Sequence, residues 1–146
     1  MEIFSDEYFM REALKEARRA YELDEVPVGA VMVCRNTVIA RAHNLTEKLR
    51  DFTAHAEMQA FTAASEYLGG KHLNECILYV TLEPCPMCAG ASFWTRVGRI
   101  VYGATDEKRG SLRVDPPLFH PATQISGGVL ADECASLVRD YFKGKR

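Results

Sequence analysis

TLEPCPMCAGA, residues 81–91, leaves a short apolar run, turns at Pro84 and sets down two cysteines three apart, Cys85 and Cys88. Pro86 stands where the first residue of a helix would, a position at which its missing N–H costs nothing. Cys85 and Cys88, at i and i+3, then fall on one face of a helix in its first turn. Unpaired backbone N–H groups there favour the thiolate form that binds metals. A second stretch, TAHAEMQA at residues 53–60, follows a loop and opens another helix with His55, and Glu57 comes two residues later. Two helix starts facing one cleft deliver two thiolates and an imidazole. That donor set suits zinc with a fourth position open to water, over which Glu57 can lean.

Working outward, CILYVTL from Cys76 is a β-run of the kind buried on both faces in an α/β sheet. Ala54 to Leu68 has a helical pattern that stops at Gly69-Gly70. Towards the N-terminus, VGAVMVCR and TVIARAH flank Arg35-Asn36 and read as an antiparallel hairpin, followed by a polar loop over residues 44–52. Before the hairpin, Ser5 reads as a helix N-cap with Asp6 and Glu7 behind it. Phe9, Met10, Ala13, Leu14, Ala17, Ala20 and Tyr21 then recur at three- and four-residue steps, one buried helical face that ends before Pro27. On the C-terminal side, RIVYGA is a further strand and residues 106–121 a loop with one short helical turn. Thr123 to Ser126 is a weak strand broken by Gly127-Gly128, and Leu130 to Phe142 is a closing helix with Asp132 and Glu133 in its first turn. The expected fold is α/β, a three-layer α/β/α sandwich with a mixed central sheet of about five strands, in one domain over residues 1–146.

With 47% apolar residues and charges of both signs mixed throughout, the composition is that of a soluble globular chain. No apolar run approaches the ~20 residues of a membrane span, and no basic-then-apolar leader opens the sequence, so a cytoplasmic protein with no membrane partner is expected. Five cysteines without regular spacing make a poor disulfide framework, and Cys34, Cys76 and Cys134 read as core residues. The net charge of −2 gives no global argument for nucleic acid. The charges are uneven, however. Glu2, Asp6, Glu7, Glu12, Glu16, Glu22, Asp24 and Glu25 crowd the N-terminus, whereas Arg139, Lys143, Lys145 and Arg146 close the chain. On its own such a tail is a solvated helix end that complements the macrodipole.

Other readings of the cysteine pair compete. A thioredoxin-type redox pair leaves His55 and Glu57 unexplained. A structural zinc site, as in a nucleic-acid-binding module, needs a fourth protein ligand. His43, His72, Cys76 and His120 are candidates, but none stands at finger-like spacing.

His-Ala-Glu followed by Pro-Cys-x-x-Cys is the signature of the zinc-dependent nucleoside and nucleobase deaminases, the cytidine/deoxycytidylate deaminase superfamily. The remainder of the chain resembles the bacterial tRNA-specific adenosine deaminases: VPVGAV at 26–31, Asn44 after the second strand, TAHAE, TLEPCPMCAGA, RVGRIVYGA and HPATQISGGVLADECA. This resemblance spans nearly the whole sequence. It implies a cytidine deaminase-like fold, one Zn²⁺ per subunit held by His55, Cys85 and Cys88, and hydrolysis of adenosine to inosine at the tRNA wobble position. Hydroxide would attack C6 while Glu57 shuttles protons. It further implies that Asn44 hydrogen-bonds the base, Val28 packs on its face, Asp106 meets a flanking ribose, and Phe142 with the basic tail faces the anticodon loop. From the residues alone, Asn44 is equally a turn residue and Val28 and Phe142 equally core. The family forms homodimers, and Phe93 and Trp94 lie on a plausible contact helix. The segment Thr105–Ser111 departs from the family's usual Arg-Asp-x-Lys-Thr-Gly-Ala-Ala-Gly-Ser: the basic residue before the aspartate is lost and the segment is shorter. That departure keeps a free nucleobase or nucleoside as the alternative substrate.

Overall fold

A computed structural model describes residues 4–145, so Glu2 and Arg146 of the two charged ends lie outside the described residues. Helix α1 (Asp6–Glu22) begins at the expected cap, with the Ser5 hydroxyl accepting the Tyr8 N–H at 3.1 Å. Its buried face holds Phe9, Met10, Ala13, Leu14, Ala17 and Ala20. Tyr21, expected on that face, is instead exposed in the last turn of the helix, where it stacks edge-on against Tyr141 of the C-terminal segment. The hairpin forms as read. β1 (Gly29–Cys34) and β2 (Thr37–His43) are joined through Arg35 and Asn36, both with positive φ, the conformation of the tight hairpin turn that matches strand twist. Gly29 is required by packing, since a Cβ there would lie 2.2 Å from the Ala13 carbonyl oxygen, so α1 rests directly on β1.

Helix α2 (Ala56–Leu68) starts two residues later than the periodicity suggested, with His55 as its N-cap, and stops at Gly69 in the left-handed region. β3 (Cys76–Leu82) runs into α3 (Pro86–Thr95), then β4 (Arg99–Ala104) and, after one 3-10 turn at Ser111–Arg113, β5 (Gln124–Ser126). Helix α4 (Ala131–Lys143) closes the chain, with Leu130 left outside as a positive-φ cap rather than the first helical residue.

The five strands lie in the order β2-β1-β3-β4-β5. β1 is antiparallel to both β2 and β3, while β3, β4 and β5 are parallel, so the sheet is mixed. α2 and α3 cover one face, over Ala30, Met32, Leu78, Val80 and Ile100, and α1 and α4 cover the other, over Val31, Val33, Tyr79 and Val101. Alternation along each strand fills both layers, and each buried Leu, Ile, Val, Met or Phe contributes about 1.5–3 kcal/mol from surface removed from water. The three-layer α/β/α expectation holds. Its consequence for function is that β3 and β4, in parallel register to Leu82 and Ala104, deliver their following segments to the same edge of the sheet. Crevices outside the carboxyl ends of parallel strands are where such folds bind ligands.

Candidate metal centre

At that edge Leu82 leads through Glu83 and Pro84 into Cys85, which caps α3 rather than lying within its first turn, and Cys88 follows inside the helix. Across the crevice His55 caps α2. The His55 Nδ1 atom stands 3.6 Å from the Cys85 sulfur and 3.6 Å from the Cys88 sulfur. All three donor atoms lie within 4.8 Å of one another. Zinc bonds of ~2.3 Å to sulfur and ~2.0–2.1 Å to nitrogen, set at a tetrahedral angle, put a sulfur and a nitrogen about 3.6 Å apart. The donor set therefore fits zinc in both chemistry and spacing. Among the described residues no fourth His, Cys, Asp or Glu joins the cluster, so the structural-zinc arrangement lacks its closing ligand.

The electrostatics point the same way. Cys85 is held as a thiolate, pushed down to about 4, first by the hydrogen bond from the Cys88 thiol and then by the His55 ring. His55 is raised, chiefly by its hydrogen bond to Cys85 and then by the charge of Glu57. Cys88, whose thiol donates a hydrogen bond to the Cys85 sulfur and is buried, is raised and keeps its proton in the metal-free protein. Glu57 is 4% exposed. Burial pushes its carboxyl up to about 7, the range in which one group can both accept and return a proton near neutrality.

Around this cluster the structure brings some expected residues close and separates others. Asn44 follows β2, and its backbone N–H donates to the Val28 carbonyl at 3.1 Å, so Val28 and Asn44 are neighbours. Asn44 is 6% exposed and its Oδ1 has no partner among the described residues, while its Nδ2 donates to Thr46 at 3.4 Å. A buried acceptor left unpaired is unusual and marks a position that a ligand donor can satisfy. Gln59 ties the two ends of the Asn44–His55 segment, donating from Nε2 to the carbonyls of His43 at 2.8 Å and Ala54 at 3.2 Å. Val28 is half-buried and packs against the main core. Asp106 turns one carboxylate oxygen into its own loop, accepting the N–H groups of Lys108 and Arg109. Phe142, 48% exposed, lies apart from the metal residues, in an open groove of about 720 Å³ with Glu25, Val26, Lys48 and Lys145.

Two residues that the sequence did not single out organise the rims of this crevice. Glu25, buried, accepts the N–H groups of Glu47 at 2.9 Å and Lys48 at 2.7 Å, fixing the loop after Asn44. Glu83 does the same for the loop after β4. Acidic residues embedded in apolar runs, Asp-Glu-Val-Pro-Val and Thr-Leu-Glu-Pro, were the available signal.

Residues 4–104 match the family model of the cytidine and deoxycytidylate deaminase zinc-binding region. Over 147 residues the chain is 46% identical to the tRNA-specific adenosine deaminase of Bacillus subtilis, an alignment covering 97% of this chain and 91% of that one. It is 45% identical over 159 residues to the chloroplastic tRNA(adenine(34)) deaminase of Arabidopsis thaliana, of whose length it spans 12%. A solved structure from a study of A-to-I editing by tRNA:A34 deaminases at the wobble position superposes with a TM-score of 0.84 at 45% identity, covering 89% of this chain and 98% of the other.

Proposed function

The chain belongs to the zinc-binding cytidine and deoxycytidylate deaminase family, and from that premise we propose that it hydrolyses adenosine to inosine at the wobble position of a tRNA, releasing ammonia. The convergence of His55, Cys85 and Cys88 beside the buried Glu57 carries the chemical half of this reading. The near full-length likeness to tRNA-specific adenosine deaminases carries the substrate.

His55, Cys85 and Cys88 would hold the zinc, which when bound lowers the pKa of water from ~16 towards ~7 and so supplies a nucleophile at neutral pH. Glu57 takes the proton that water gives up and delivers it to N1 of the adenine, making C6 electrophilic. It next takes the remaining proton from the hydroxyl now on C6 and passes it to the amine, so that the C6–N bond breaks, the C6–O double bond forms and ammonia leaves. General acid–base help of this kind contributes roughly 10²–10⁴-fold in rate. The unpaired Oδ1 of Asn44 accepts a hydrogen from the base, and Val28 beside it offers an apolar surface to the ring. The Asp106 oxygen not engaged in its loop faces the flanking sugar, and Phe142 with Lys143 and Lys145 meets RNA outside the pocket. The protein acts in the cytoplasm. It acts as a homodimer joined through α3, whose Trp94 is 77% exposed and whose Met87, two turns earlier, is also exposed.

Two experiments test this reading. Glu57→Ala keeps one zinc per chain and loses deamination, and a variant that stays active removes Glu57 from the mechanism. Wild-type protein is then incubated with bacterial tRNA and, separately, with adenosine, cytidine and guanine. Inosine at a wobble position supports the proposal, whereas turnover of a free base or nucleoside alone replaces it.

A further inference from the structure

Glu83 is 3% exposed, carries a carboxylate, and stands two residues before Cys85, yet it is too committed elsewhere to reach a metal or substrate. Its Oε1 accepts the Asp106 N–H at 3.1 Å and its Oε2 accepts the Leu112 N–H at 3.0 Å. Its own N–H donates to the Ala104 carbonyl at 2.8 Å, and the next carbonyl, that of Pro84, accepts the Ser111 N–H at 3.0 Å. Gly110 seats directly on the carboxylate, where a Cβ would lie 2.1 Å from Oε2. Four hydrogen bonds therefore join the Glu83-Pro84 turn to the residues 104–112 that follow β4. Hydrogen bonds to a buried carboxylate are among the stronger ones in proteins.

The placement gives this clamp a consequence for the reaction. One side of it is the turn that sets Cys85 at the head of α3. The other is the loop with exposed Lys108 and Arg109 at the same edge of the sheet, beside the crevice. We propose that Glu83 is a positioning residue that fixes the 106–112 loop, and its basic residues, relative to the metal-bearing turn. Through this loop it governs how substrate is held rather than how the bond is broken. The inference rests on the reading that the substrate is an RNA, whose phosphates Lys108 and Arg109 would meet.

The experiment uses the zinc-loaded full chain and two substitutions that attack the clamp from opposite sides. Glu83→Gln keeps the shape but presents an N–H₂ group to one of the two backbone donors. Gly110→Ala leaves Glu83 in place and pushes a methyl against it. Hydrogen exchange of peptides across 105–113 quickens at least tenfold in both variants, while peptides of α1 and zinc content stay as in wild type. With an anticodon stem–loop RNA, KM rises at least fivefold and kcat changes less than threefold. The double variant is no worse than the poorer single one, as expected when both act on one contact. Unchanged exchange across 105–113, loss of zinc, or a fall in kcat at constant KM overturns the proposal. Inactivity of the wild-type protein on RNA overturns the functional reading instead, and the exchange result then still decides whether the clamp exists.

Discussion

β3 carries cysteines at its start and beyond its end, and the two settings have little in common. At the start Cys76 is buried opposite Cys34 on β1, and apolar burial, with Cys34 adding to it, pushes its thiol up to about 12. Its backbone N–H goes to Leu73 and its carbonyl to Gly98, both away from β1. On the same side of the molecule Asp6 accepts two hydrogen bonds from Arg99 and one from the Tyr79 hydroxyl. Among the described residues, no buried side-chain donor at that end is left without an acceptor. Beyond the end of the strand Cys85 is held as a thiolate, burial outweighs the nearby His55 and raises the Glu57 carboxyl, and Asn44 Oδ1 has no partner among the described residues. Glu16 Oε2 and Ser111 Oγ are buried without a hydrogen-bond partner among those residues as well, so what sets the far end apart is an unpaired acceptor standing with a thiolate and a buried carboxyl group.

The widest separation between the two ends is expected from cysteine replacement. Cys88→Ala takes away a zinc ligand and lowers kcat/KM by at least ~10³-fold with loss of bound metal. Cys76→Ala costs only about 1 kcal/mol of stability and leaves zinc and activity in place. Metal analysis beside a thermal melt reads both. A Cys76 variant that loses zinc would erase the distinction.

Next in size is Asn44→Ala. If Oδ1 is reserved for substrate, kcat/KM falls roughly 10- to 100-fold, the worth of a 1–3 kcal/mol hydrogen bond, while stability hardly moves. The reverse outcome, a destabilised but fully active protein, would make Asn44 a turn residue after all.

The smallest effect belongs to the paired end. Hydrogen bonds from Arg99, with that from Tyr79, hold the Asp6 carboxyl below its ordinary 3.8. Because the folded value lies below the unfolded one, the stabilisation is present above pH ~4 and disappears as pH falls through the folded value. Asp6 and Arg99 are each about a third exposed, so solvent screening reduces the pair to about 1 kcal/mol. Asp6→Asn is thus less stable at pH 7 by that amount, with the gap to wild type closing below pH 3.8, and denaturant melts at the two pH values check it. Activity at pH 7 is unaffected.

Much of this was legible in the sequence because it is local. The three- and four-residue steps in α1, the Arg35-Asn36 turn, Gly69 after α2 and Pro86 at the head of α3 each obey a rule that operates within a few residues. The metal residues were legible because spacing and donor type together restrict the chemistry. What was hidden is set at a distance. Tyr21 has the right period but meets Tyr141, 120 residues on, instead of the core, and Glu25 and Glu83 are clamps only because remote loops point their N–H groups at them. No period in the sequence records which backbone donors will need an acceptor.

His55 and the Cys85–Cys88 pair, thirty residues apart in sequence, are placed to hold one zinc between them and leave room for solvent. X-ray absorption at the zinc edge of the purified protein measures this directly. The structure predicts two sulfurs at ~2.3 Å, one imidazole nitrogen at ~2.0–2.1 Å and one exchangeable oxygen. A shell of three or four sulfurs, or a second imidazole in place of the oxygen, would contradict it.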